Sequence, residues 1–222
     1  MKRNVSLEEI SDGRLYTAND MVKADCGDCE GCSACCHGMG ESIVLDPLDI
    51  YRLTTNLEMS FEALLDRYVE LNVVDGIILP NLKMSGSREA CGFLDGNGRC
   101  SIHAHRPGIC RLFPLGRYYE DGGFRYFLQT QECRKENRTK VKVKKWIDTP
   151  NLKQYENFIN DWHNFLMQME ERAAEADENT AKQISMFFLQ NFYIKPYDRS
   201  ADFYPQYEER MHQAKQIFRM GV

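Results

Sequence analysis

No run of apolar residues in this 222-residue chain approaches the length of a membrane-spanning helix. The opening sixteen residues, MKRNVSLEEISDGRLY, lack the apolar stretch of a secretory signal, so a cytoplasmic protein is expected. Thiols stay reduced in that compartment, and nine cysteines leave one over in any complete pairing. A disulfide framework is therefore not expected. There is no glycine-rich nucleotide fingerprint and no serine-nucleophile elbow. Internal repeats and low-complexity segments are missing too. Charge of either sign is in small excess: 28 basic against 33 acidic residues give a net charge of −5, which argues against a general nucleic-acid binder. A partner, if any, is a protein or a small molecule of unknown identity, with no membrane involved.

Cysteine is also missing from residues 1–25 and 134–222, because all nine lie between 26 and 133. Five crowd into eleven positions, Cys26, Cys29, Cys32, Cys35 and Cys36, in the run DCGDCEGCSACCHGMG. Cys91, Cys100, Cys110 and Cys133 are more widely spaced. An isolated cysteine reads as a small buried hydrophobe. Thiols three residues apart in a tight loop read instead as ligands converging on one soft ion or cluster. Three thiols at C-x2-C-x2-C spacing suit three corners of an iron–sulfur cluster with a remote fourth ligand, whereas structural zinc more often uses two separate C-x2-C pairs. Iron–sulfur, as a 4Fe-4S cluster, is favoured, and zinc is the alternative. Neighbouring side chains on an extended backbone point to opposite sides, so Cys35 and Cys36 can reach two different centres. With Cys26 set aside, Cys29, Cys32, Cys35, Cys36, Cys91, Cys100, Cys110 and Cys133 make eight metal-ligand candidates, enough for two tetrads. Mixed ligation and spare thiols leave that count open. Cys26 can be a ligand, a spare thiol or a redox partner.

The later cysteines lie in CGFLDGNGRCSIHAHRPGICRLFP, where the Asp95-Gly96-Asn97-Gly98 turn is expected to bring Cys91 and Cys100 together. Four thiolates on a divalent ion carry net negative charge, so Arg106 and Arg111 are candidate partners that offset it around the metal ligands. Ordinary salt bridges are the competing reading for both. His37, His103 and His105 lie near thiols and can ligate or hydrogen-bond. Catalytic residues are unknown. Glu41, Asp46 and His37 are near the cluster in sequence, and Tyr118, Tyr119 and Tyr126 either line a pocket or are half-buried strand residues.

Three regions follow from this distribution: a polar lead-in over 1–25, a cysteine-rich metal-binding domain over 26–147, and a helical extension over 148–222 packed on it. Asp46-Pro47 and Ser60 start two helices. Asp75-Gly76 and Asp121-Gly122-Gly123 turn two hairpins. The basic stretch from Arg134 to Lys145 reads as a solvated strand, since Val141 and Val143 alternate with lysines, or as a docking surface for an acidic partner. Leu152, Tyr155, Phe158, Ile159, Trp162, Phe165, Leu166 and Met169 recur at helical steps. Further helices are expected from Ala181 to Phe192, ended by Pro196, and from Pro205 to Phe218. The fold class is α+β and predominantly helical: an irregular cysteine-rich metal-binding lobe with small β-hairpins, covered by C-terminal helices.

The ordered series Cys29-x2-Cys32-x2-Cys35-Cys36, Cys91-Gly-Phe-Leu, Cys100-Ser-Ile-His, Arg106-Pro107-x2-Cys110-Arg111-x-Phe113-Pro114 and Cys133 resembles the YkgJ-like cysteine-cluster family, a zinc- or iron-chelating domain. The resemblance covers about residues 26–135 and implies metal binding by the eight matched cysteines. Members often carry the label iron–sulfur oxidoreductase. His103 stands where members frequently have Tyr, and Cys26 lies outside the pattern. Two functions are carried forward: an iron–sulfur protein in redox or redox-assisted modification chemistry, and a zinc-stabilised interaction module without catalysis. A catalytic zinc or iron enzyme is a third reading.

Overall fold

A computed structural model describes residues 6–27, 29–135 and 137–220. The chain begins with α1 (Leu7–Ile10), β1 (Ser11–Tyr16) and β2 (Met21–Asp25), followed by a 3-10 turn at Ala34–Cys36. Next come α2 (Pro47–Asn56), α3 (Phe61–Arg67), β3 (Val69–Val74), β4 (Ile77–Leu82), β5 (Met84–Ser85) and β6 (Ala90–Cys91). After a 3-10 turn at His103–His105, the order is α4 (Gly108–Leu112), β7 (Leu115–Glu120), β8 (Gly123–Gln129), β9 (Thr139–Lys142) and α5 (Val143–Ile147). The chain finishes with α6 (Leu152–Glu175), α7 (Glu178–Phe188), a π-helical turn at Leu189–Ile194 and α8 (Phe203–Ile217). At 44% helix and 23% strand, with small antiparallel sheets, this is the α+β fold with small hairpins that the sequence suggested. No described helix is long and apolar enough to cross a membrane.

The chain divides into two compact units, each discontinuous in sequence: Met1–Gly40 with Met84–Gln168, and Glu41–Lys83 with Met169–Val222. The first holds all nine cysteines. Its main sheet has the order β1-β8-β7. The β7/β8 hairpin turns at Asp121 and Gly122, both at positive φ, as a two-residue hairpin loop requires. The free edge of β8 takes β1, with Tyr16 opposite Tyr126. Residues of the polar lead-in are thus built into the sheet. One face of α6 supplies Tyr155, Phe158, Ile159, Trp162 and Phe165, all buried at helical spacing. Tyr126 donates to Glu156 at 2.9 Å and Arg117 to the Tyr155 hydroxyl at 2.9 Å, tying sheet to helix.

A second ladder in this unit pairs β2 with β9, Val22 opposite Val141 and Asp25 opposite Thr139. Val143 does not continue the alternation expected of it. Its N–H donates to the Asp20 carbonyl at 3.0 Å, just beyond the last ladder pair, and the residue turns inward as the start of α5. Burial of Val143, Trp146 and Ile147 drives that turn, and the Trp146 indole donates to the carbonyls of Leu112 and Phe113, both at 3.2 Å.

In the other unit, α2 starts as the sequence announced. The Asp46 carboxylate accepts from the Asp49 N–H at 2.8 Å, Asp49 reciprocates at 3.3 Å, and Pro47 takes the first helical position. Ser60 caps α3. The β3/β4 hairpin turns at Asp75-Gly76, again with both residues at positive φ. The helix expected to reach Phe192 is α-helical only to Phe188 and then widens into the π-helical turn. Buried Arg210 donates to the carbonyls of Asn191, Lys195 and Pro196 at 2.9, 2.7 and 2.7 Å, satisfying groups that this helix end leaves without helical partners.

Candidate metal centre

The thiol loop begins where the β2/β9 ladder stops. Cys26 follows Asp25 directly, and the segment carrying Cys133 runs into Thr139, the residue paired with Asp25. From there the chain reverses in short turns. Glu30 N–H donates to Gly27 at 3.1 Å, Cys32 N–H to Cys29 at 3.0 Å, and Cys36 N–H to Ser33 at 2.8 Å. Gly27, Cys29 and Gly31 take positive φ, which costs a residue with a β-carbon more than it costs glycine. Cys26 Sγ and Cys29 Sγ stand 3.5 Å apart. The Lys135 ammonium donates to the Glu30 carbonyl at 2.9 Å and so pins the Cys133 segment to the loop.

The second group of thiols is brought up by two small bridges. Ala90 pairs with His37, and Gly38 N–H donates to Glu89 at 3.0 Å, placing β6 and Cys91 beside Cys36. The Asp95 carboxylate accepts from the N–H groups of Asn97 and Arg99 at 2.9 and 2.8 Å and closes the expected turn. Across it Leu94 bridges Cys100, and Ser101 N–H reaches the Phe93 carbonyl at 2.8 Å. A β-carbon at Gly98 would stand 3.9 Å from the Ser33 hydroxyl, so this turn lies against the thiol loop.

Charge among the thiols centres on Cys35. A hydrogen bond from Cys36 and the Arg106 guanidinium bring the Cys35 thiol down to about 7 against the opposing effect of burial. The same hydrogen bond pushes Cys36 up, with burial and the charges of Cys35, Cys100 and Cys91 adding to it. Burial and then Cys26 push Cys29 up to about 12, and Cys35 adds to that rise. Burial also raises Cys91 and Cys100, and each feels Cys35. Cys35 therefore interacts with Cys29, Cys36, Cys91 and Cys100, thiols from three separate stretches of chain. A bound cation is what would let several ionise together.

Two neighbourhoods result. Cys35, Cys36, Cys91 and Cys100 form one. Cys26, Cys29, Cys32 and Cys133 line the other, a cavity of about 20 Å³ that Cys35 also reaches, with Phe113, Pro114 and Trp146 in its wall. Cys110 is half-buried on α4, three residues before Phe113. Among the described residues no three His, Cys, Asp or Glu side chains are already closed into metal-binding geometry. The thiols are gathered as neighbours, and drawing them onto an ion requires their deprotonation.

The two arginines expected near the metal differ in what they touch. Arg106 acts on the thiols of Cys29, Cys35 and Cys100 and donates to His103 Nε2. Arg111 donates to the carbonyls of Ala104 and Asp148 at 2.6 and 3.1 Å. His37 Nδ1 lies 3.4 Å from the Arg88 carbonyl. Asp46 serves as the helix cap described above. Tyr118 is exposed, Tyr119 half-buried and Tyr126 buried, as strand residues are. His163 stacks on Tyr119 with ring centroids 3.5 Å apart. Cys26 is the residue that sequence reasoning set aside and that the structure seats among the others. Its signal was its own C-x2-C spacing to Cys29 and the turn-forming Gly27 between them.

A family model, CxxCxxCC, described as "Putative zinc- or iron-chelating domain", matches residues 28–149. No curated protein and no solved structure matches the chain.

Proposed function

The chain belongs to the CxxCxxCC family of the zinc- or iron-chelating description, and from that premise we propose that its cysteine cluster holds an iron–sulfur centre serving redox or redox-assisted modification chemistry. The observation that carries this reading is the convergence on Cys35 of thiols from three stretches of chain, with Arg106 beside them. The ligand pool is Cys29, Cys32, Cys35, Cys36, Cys91, Cys100, Cys110 and Cys133. The donor set fits the group: soft thiols, half-buried, with a guanidinium able to offset negative charge and donate hydrogen bonds to sulfur. When bound, a 4Fe-4S cluster supplies one-electron chemistry. The chain's part is to hold the sulfurs, tune their charge through Arg106 and limit access of water.

A second reading is favoured by one observation. None of the described residues from 26 to 40 is fully buried, so a metal that cross-links this loop would supply order that apolar packing does not. That suits a zinc-stabilised interaction module. Metal and sulfide analysis of anaerobically purified protein, with its absorption spectrum, separates the two. Brown protein with iron and sulfide in matched amounts is the expected result. Colourless protein with stoichiometric zinc and no sulfide would overturn the iron–sulfur reading.

A further inference from the structure

Cys26 precedes the segment matched by the family model, yet it stands in the same cavity wall as Cys29, Cys32, Cys35 and Cys133, which lie within that segment. We propose that Cys26, Cys29, Cys32 and Cys133 form a separate mononuclear tetrathiolate site for a soft divalent cation, zinc above all, distinct from the centre gathered on Cys35, Cys36, Cys91 and Cys100. The proposal rests on the metal-chelating reading above and divides its thiols.

Four features of the fold support it. The β2/β9 ladder fixes both ends of the site, since it closes at Asp25 and Thr139, and the Lys135 contact to Glu30 fastens the two thiol-bearing segments a second time. The cavity, about 20 Å³, is the size of one water-sized sphere and so suits a single ion. The 3.5 Å between Cys26 Sγ and Cys29 Sγ is close to the edge of a tetrahedron of sulfurs about a zinc ion, roughly 3.8 Å for zinc–sulfur bonds of about 2.3 Å. The thiolates of a four-iron cluster sit on separate irons and stand much further apart. Finally, four thiolates on a divalent ion leave two negative charges, and Arg134 and Lys135 line the cavity to meet them, with Glu132 the opposing charge among the described lining residues. Cys35 reaches this cavity too, and we place it with the other centre because the bridge from His37 to Ala90 brings Cys91 beside its neighbour Cys36.

Trp146 lines the same cavity and reports on its filling. The test is anaerobic cobalt(II) titration of the full-length reduced chain, followed by the visible absorption of tetrahedral cobalt thiolate and by quenching of Trp146 fluorescence, assigned with Trp146→Phe. In the wild-type chain one equivalent of cobalt is expected to quench Trp146. Cys26→Ser and Cys133→Ser should each lose that step and about one cobalt per chain, Cys26→His should restore it with a shifted spectrum, and Cys91→Ser should leave it in place. Retention of the quenching step in Cys26→Ser, or its loss in Cys91→Ser, would overturn the proposal. Cobalt bound only in a step that depends on Cys91 would sink this site and spare the chelating reading, whereas a wild-type chain that binds no cobalt sinks both.

Discussion

Replacing Arg106 by Gln removes a cation that acts on three of the thiols while keeping a polar side chain. The guanidinium lowers the thiols of Cys29, Cys35 and Cys100, so its loss lets all three hold their protons to higher pH. Each proton retained must be displaced by the metal, which lowers apparent affinity. Removing an outer partner of this kind costs about 10- to 100-fold in metal affinity, or about 1.4–2.7 kcal/mol. Cys35, at about 7, ionises unaided first, so its share of the deficit should shrink from pH 6.5 toward pH 9, while the share from Cys29, raised to about 12, persists. Arg106→Lys keeps the charge but not the fork that also reaches His103, and should recover most of the affinity. Chelator competition at fixed ionic strength across that pH range measures both variants. Affinity of Arg106→Gln within about threefold of wild type at pH 7, or a deficit that does not change with pH, would refute the electrostatic account.

Two further predictions concern the scaffold. The Phe127 ring lies across Gly116, its partner in the β7/β8 ladder, where a β-carbon would overlap it; Gly116→Ala should cost about 1–3 kcal/mol in thermal or urea unfolding, and adding Phe127→Leu should recover part of that loss. Burial above all, with the Arg117 charge adding to it, holds His163 down to about 4, against 6.5 in an unfolded chain. Between those values the unfolded chain binds a proton that the folded one does not, so the stability contributed by neutral His163 is present above pH 6.5 and lost as pH falls toward 4. Discounted for a half-exposed ring, this is roughly 1–2 kcal/mol. Urea midpoints at pH 4.5 and 7 should therefore differ less in His163→Gln than in the wild-type chain, and an equal difference would remove His163 as the cause.

What the sequence disclosed about fold and site was mostly local. Asp75-Gly76 and Asp121-Gly122 announce hairpins because two adjacent residues must take positive φ. Asp46-Pro47 announces α2 because carboxylate and ring each suit the first helical turn. The apolar stripe from Tyr155 to Phe165 announces α6. What it concealed is long-range. Tyr16 finds Tyr126, and Val22 finds Val141, across more than a hundred residues, and nothing in the polar opening segment names those partners. Val143 followed the strand alternation in sequence, and its turn into α5 is set by Asp20 and by burial. The discontinuity of each unit in sequence has the same origin, since residues 41–83 join residues after 168 through contacts that no local pattern encodes. At the site, residue types pointed to thiol chemistry, but the sorting of thiols into two neighbourhoods depends on β2/β9 and on the bridge from His37 to Ala90.

That sorting bears on why a chain would carry so many thiols in one place. Ordering a backbone costs roughly 1–2 kcal/mol per residue, and apolar burial is the usual offset. The thiol loop has almost none: among the described residues none from 26 to 40 is fully buried, and Phe93 is the one buried residue between Met84 and Ser101. These segments are framed at their edges, by the β2/β9 ladder, the Asp95 turn and the Lys135 contact, and left loosely packed in the middle. The middle is where the sulfurs lie, and burial, with repulsion between neighbouring sulfurs adding to it, raises the thiols of Cys29, Cys91 and Cys100. A cation removes that repulsion and joins the framed edges in the same event. On the proposed ligand set, metal binding and ordering of this loop are one equilibrium, in which the protonation of Cys35 takes part.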